Sequence, residues 1–109
     1  MLSGRACSGY ATDEDRTEMS VLKRHRVPGM SKEAYEAVAN SVAGSLASAP
    51  GFVAHHAVVD DGVLTVFEIW DSSAEHDKWF AENVKPQLPE GTPIPETFEI
   101  IRTMTPAGT

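Results

Sequence analysis

Proton transfer near neutral pH is the chemistry this sequence is best equipped for, because its 109 residues include four histidines, His25, His55, His56 and His76. None has a histidine partner four positions along a helix or a neighbouring cysteine, so the spacing suggests no metal site. His55 lies in the apolar run 52–59 and Glu68 in the run Val63–Trp70, with Asp60-Asp61-Gly62 between them as a hairpin signal. A two-residue loop on Asp61-Gly62 sets His55 opposite Glu68, Val53 opposite Trp70 and His56 opposite Phe67. A four-residue loop centred on the same pair keeps that register, and a three-residue loop undoes it. Directly opposed side chains have Cβ atoms ~5 Å apart. Glu68 would then fix the tautomer of His55 and make it a better base, with Trp70 two residues along as an aromatic surface. The same pair also fits a buried cross-strand contact at a dimer seam.

Other candidates follow from the faces these residues share. Val66 lies on the Glu68 face of its strand, and His76 and Phe80 begin the inner stripe of a helix. All three are expected to contact a bound molecule. His25 shares a strand face with Met19, Val21 and Val27, near a strand end, while Trp79 reads as core. No glycine-rich phosphate loop, Ser-His-Asp order, nucleophile elbow or EF-hand spacing occurs.

The elements that must position these residues are legible in order. Met19, Val21 and Val27 alternate with polar residues up to the turn at Pro28-Gly29, giving strand one. Ser31 can cap a helix over 32–48, in which Tyr35, Val38, Ala39, Val42, Ala43 and Leu46 form one face. Ala49-Pro50-Gly51 ends it. The two hairpin strands follow. Ser72 and Glu75 then form a capping box for a second helix that ends near Lys85-Pro86. After a proline-rich loop, residues 97–104 read as a last strand. The order β-α-β-β-α-β is the α+β, ferredoxin-like motif, a four-stranded antiparallel sheet with both helices on one face. Strand two offers Phe52, Ala54 and Val58 on one side and Val53, Ala57 and Val59 on the other, and strand three repeats that two-sided pattern. The helices cover one side only, so a second copy of the sheet is expected on the other.

Composition narrows the partners. Sixteen acidic against nine basic residues leave a charge of -7, the wrong sign for gripping phosphates or anionic lipid, so nucleic acid and membrane partners are not expected. No apolar stretch approaches the ~20 residues of a bilayer crossing. Residues 1–17 read as a polar N-terminal tail without a signal-peptide core, and 18–109 as one domain. Cys7 is the only cysteine, which excludes an internal disulfide and makes a reducing, cytoplasmic setting the default.

From Arg24 to Trp79, the segments HRVPGMSKEAYEAV, PGFVAHHAVVDDG and VLTVFEIWDSSAEHDKWF resemble the antibiotic biosynthesis monooxygenase (ABM) domain of the dimeric α+β barrel superfamily. The resemblance implies a homodimer whose sheets pack into a barrel, with a small pocket between sheet and helices in each subunit. Proteins similar in fold include cofactor-independent oxygenases of polycyclic phenols, haem-degrading enzymes, polyketide cyclases and proteins of no known activity. Trp70 matches the tryptophan ending strand three in the oxygenase and haem branches. The asparagine that the oxygenases carry one pleat repeat earlier is absent; that face holds Val66 and Glu68. Phe80 stands where the haem branch has its ligand, so no haem, and no cofactor of any kind, is expected. The expected function is monooxygenation of an aromatic or polyketide-like molecule, with His55, Glu68 and Trp70 as the catalytic group. A cyclase using the same pocket without oxygen and a non-catalytic ligand-binding dimer remain the alternatives.

Overall fold

The computed structural model describes residues 20–106, so Met19 and the polar tail expected over 1–17 lie outside the described residues. The elements are β1 (Val21–Val27), α1 (Lys32–Ala47), β2 (Phe52–Asp60), β3 (Val63–Trp70), α2 (Ser73–Asn83), a 3₁₀ turn (Lys85–Gln87) and β4 (Glu96–Glu99). The four strands form one sheet in the order β2-β3-β1-β4, and every neighbouring pair is antiparallel. This is the ferredoxin-like arrangement expected from the element order.

Local chemistry explains each boundary. The Ser31 side chain accepts from Ala34 N–H at 3.0 Å and starts α1. Ser72 does the same for α2 through Glu75 N–H at 3.2 Å, and its hydroxyl donates to Glu75 Oε1 at 2.9 Å. At the end of α1, Gly51 takes φ 85°, and a Cβ there would collide with the Glu75 carboxylate. A side chain at that turn is therefore excluded twice over, by backbone conformation and by space. The hairpin turns on Asp61 (φ 55°) and Gly62 (φ 79°), and Asp60 pairs with Val63. Positive φ at both central residues makes a two-residue turn whose twist matches the flanking strands.

That loop fixes the register. His55 pairs with Glu68 and His56 with Phe67, as the sequence predicts. The expected opposition of Val53 and Trp70 does not form. A bulge between Phe52 and Ala54 sets Phe52 opposite Trp70 and Ala54 opposite Ile69. One extra residue shifts the strand's alternation by one step. Phe52 thus joins His55 on the helix side, while Ala54, His56 and Val58 share the other.

The last strand is also shorter than the expected 97–104. β4 pairs only with β1 among the described residues, from Arg24 opposite Glu96 to Val21 opposite Glu99, and Ile100 N–H donates to Ser20 O at 2.9 Å. Beyond that point the chain leaves the sheet, with Ile101 and Met104 88% and 76% exposed. The core lies between sheet and helices, where Val21, Val42, Leu46, Trp70 and Trp79 pack with Ala49, Phe52, Phe80 and Val84.

Candidate active site

Between the sheet and α1 and α2 lies a cavity of about 290 Å³, at the low end of the ~300–1,000 Å³ range of ligand pockets. Most of its wall is apolar, from side chains such as Val38, Val42, Leu64, Val66, Phe80 and Leu88, and the polar groups that interrupt it are Lys23, His25, Tyr35, His55, Glu68 and His76. Alternation puts Val21, Lys23, His25 and Val27 of β1 on this buried face, and β3 contributes Leu64, Val66 and Glu68.

His55 is held at both ring nitrogens. Its Nδ1–H donates to Glu68 Oε2 at 2.6 Å, and the remaining lone pair on Nε2 accepts from the Tyr35 hydroxyl at 2.7 Å. The other carboxylate oxygen, Glu68 Oε1, accepts from Trp70 Nε1–H at 2.9 Å. A chain of four side chains from α1, β2 and β3 therefore runs Tyr35, His55, Glu68, Trp70. Burial, helped by the charges of Glu36 and Glu68, pushes the Tyr35 hydroxyl above its usual range, so it stays protonated as a donor. The Tyr35 and His55 rings are near-parallel at 16° with centroids 6.1 Å apart.

Two further histidines line the cavity. His25 donates Nε2–H to the Pro93 carbonyl at 2.6 Å, tying β1 to the loop before β4. Burial pushes its imidazole below the ordinary value, against the smaller opposing effects of Pro93 and Glu68. His76 donates Nδ1–H to Asp77 Oδ1 at 2.9 Å and meets Trp70 edge-on and Phe80 face-on, both with ring centroids 5.5 Å apart. Lys23 is 3% exposed and spends its ammonium hydrogens on Thr97 Oγ1 (2.6 Å), Ser73 Oγ (2.8 Å) and Asp77 Oδ1 (3.1 Å).

Of the residues singled out from sequence, His55, Glu68, His76, Phe80 and Val66 line this cavity together. Trp70 does not line it. It is fully buried behind Glu68, so it acts on the carboxylate instead of offering a surface to a ligand. Two polar members of the wall, Tyr35 and Lys23, are not among the residues that the sequence singles out. Tyr35 was visible only as the first residue of the α1 apolar stripe, where an aromatic with a polar tip was the available signal. Lys23 shares the parity of Val21, His25 and Val27, and a lysine at an inward strand position marks a buried cation needing partners. Among the described residues, no group of three or more His, Cys, Asp or Glu side chains is arranged to hold a metal ion.

A small apolar cavity under a ferredoxin-like sheet, with a histidine hydrogen-bonded to a carboxylate in its wall, is the candidate site. Residues 19–83 match the family model described as Antibiotic biosynthesis monooxygenase, and the chain belongs to that family. A comparison with curated proteins finds no match. No helix among the described residues is long and apolar enough to cross a membrane.

Proposed function

We propose that this protein is a small-molecule monooxygenase whose substrate is a compact aromatic or polyketide-like molecule with an acidic hydroxyl or activated C–H group. The observation that carries the reading is His55 fixed between Glu68 and Tyr35 in the wall of an otherwise apolar cavity. Because the Tyr35 hydroxyl occupies the His55 lone pair, the substrate proton passes to Tyr35 Oη as the tyrosine proton moves to Nε2. Glu68 stabilises the imidazolium so formed, and the Trp70 N–H keeps the carboxylate in place. The substrate anion is then the electron source for dioxygen, and the protein supplies binding, orientation and a dry site, with no cofactor required.

The open face of the sheet supports a second copy as partner. Leu22, Ala54, Val58, Phe67, Ile69 and Phe98 lie on it by register, flanked by the Arg24–Glu96 and Arg26–Asp60 ion pairs at 2.7 Å. An apolar strip of this kind is best buried against another apolar surface of matching shape, and a second copy of the chain's own sheet is such a surface.

Oxygen uptake across a panel of anthrone-like phenols tests the reading. Turnover that consumes oxygen and is lost in His55→Ala is expected. Product formed without oxygen consumption would assign a cyclisation, and binding without turnover a ligand-binding role; either overturns the oxygenase reading.

A further inference from the structure

Two imidazoles flank Glu68, and they differ in the state of their second nitrogen. His55 Nε2 is capped by Tyr35. His76 Nε2 lies 3.9 Å from Glu68 Oε1, beyond hydrogen-bond distance, and no donor among the described residues reaches it.

The tautomer of His76 follows from its neighbour. Burial works against ionisation of Asp77, but hydrogen bonds from His76 and Lys23 outweigh it and hold the carboxyl below its usual range. An ionised Asp77 can only accept, so the hydrogen sits on His76 Nδ1. Burial pushes the His76 imidazole down, with the Lys23 charge acting the same way, so the ring is neutral and Nε2 keeps its lone pair. The charged groups facing it are Asp77 on its own helix, Lys23 from β1 and Glu68 from β3. Phe80 and Trp70 fix the ring plane. A carboxylate that orients an imidazole and leaves the far nitrogen bare is the arrangement of a general base.

We infer that His76 is a second proton-transfer group of the cavity, taking a proton at Nε2 directly from the bound molecule, with Asp77 as its positioning residue and Lys23 anchoring Asp77. The inference rests on the proposed oxygenase reading and gives it a division of labour. Oxidising a methylene carbon to a carbonyl with dioxygen removes two carbon-bound protons. Loss of the first makes the carbanion that bonds to dioxygen, and the resulting peroxide oxygen takes back one proton to give a hydroperoxide. The second leaves the same carbon as C=O forms, the O–O bond breaks and hydroxide departs to become water with a proton returned from the cavity. Two acceptors on either side of Glu68 suit two such removals.

Nitrogen NMR on histidine-labelled protein reads the first requirement without any turnover. In the free protein the hydrogen should be on His76 Nδ1 with Nε2 bare, and adding naphthol should shift the Nε2 resonance, less so in Asp77→Asn. With anthrone and dioxygen, His76→Gln should lower oxygen uptake by roughly 10²–10⁴-fold and remove one limb of its pH profile. A hydrogen found on Nε2, or an Nε2 resonance that naphthol leaves in place, overturns the inference. So does a folded His76→Gln with wild-type turnover and pH profile while His55→Ala is inactive, a result that leaves the proposed function standing. If His76→Gln does not fold, the resonances of the wild type and of Asp77→Asn decide. Full activity in both histidine variants would remove the proposed function as well.

Discussion

On the face of the sheet covered by the helices, Lys23, His25 and Glu68 are buried, whereas on the open face Val58 and Phe98 stand 40% and 41% exposed. A sheet folding only for stability would place these groups the other way round, since buried charge costs free energy and exposed apolar area forgoes it. The inner face keeps its polar groups because each is satisfied: Lys23 by three oxygens, Glu68 by two N–H donors, His25 by a carbonyl. The outer face keeps its apolar groups with no such compensation in the single chain. The first inversion is what the proposed small-molecule site would account for, and the second what the proposed sheet-to-sheet partner would. The two are separable by mutation.

The largest effect is expected inside. His55→Ala and Glu68→Gln should each lower turnover by roughly 10²–10⁴-fold. The double variant should be little worse than the poorer single one, because members of one proton chain do not contribute independently. Additive losses would show that the two act separately. Trp70→Phe, which removes one N–H from Glu68 Oε1 and keeps most of the packing, should cost less. On the outer face, Phe67→Arg places a charge in the middle of the apolar strip. Sedimentation at micromolar concentration should show the wild type at about twice the 11.8 kDa chain mass and the variant at one chain. Equal masses for both would break the outer half of the comparison.

How far the sequence alone reached depended on which signals were local. The hairpin register was legible because Asp61-Gly62 dictates its own turn, and with it the meeting of His55 and Glu68. The bulge at Val53 is not legible, since Pro50-Gly51 just before it reads as the end of the preceding helix and nothing in the alternation of the strand itself marks an extra residue. Tyr35 was on the predicted face of α1, but whether its hydroxyl meets His55 depends on how the helix lies across the sheet, which periodicity does not determine. The end of β4 is not legible either: residues 100–104 have strand-like composition, yet the strand stops at Glu99, opposite Val21. Alternation puts Trp70 on the Glu68 face, as observed, but does not tell that it is fully buried behind the carboxylate.

Lys23→Met tests whether the inner polar groups are held by their partners. The substitution keeps an unbranched chain of similar length and leaves the Thr97 and Ser73 hydroxyls without their donor. Asp77, 64% exposed at its side chain, can be rehydrated. The expected loss is therefore about 1–3 kcal/mol, read from denaturant midpoints, below the ~3–5 kcal/mol of breaking a fully buried ion pair. A variant as stable as the wild type would mean that burying this cation gained nothing from its three oxygens.

The smallest expected effect is a pH dependence carried by the inner histidines. His25 and His76 are both pushed below the ordinary value of 6.5, chiefly by burial. An unfolded chain protonates at that ordinary value, so as pH falls the unfolded state takes up protons first. Stability contributed by the neutral rings is therefore complete above about pH 6.5 and is lost as pH drops through the depressed folded values. The carboxylates held low by their partners, Asp77 and Glu96, have ordinary values of 3.8 and 4.5, so their losses begin at lower pH. Melting temperature should fall as pH drops below about 6.5 in the wild type. His25→Gln, whose amide N–H can still donate toward Pro93, and His76→Phe, which preserves packing on Phe80 and Trp70, should each flatten that slope. Together they should flatten it further, because each ring has its own hydrogen-bond acceptor, the Pro93 carbonyl for His25 and Asp77 for His76, although both rings also face Glu68 and Phe80. An unchanged slope in both variants would mean that the buried imidazoles are not the groups taking up protons on unfolding.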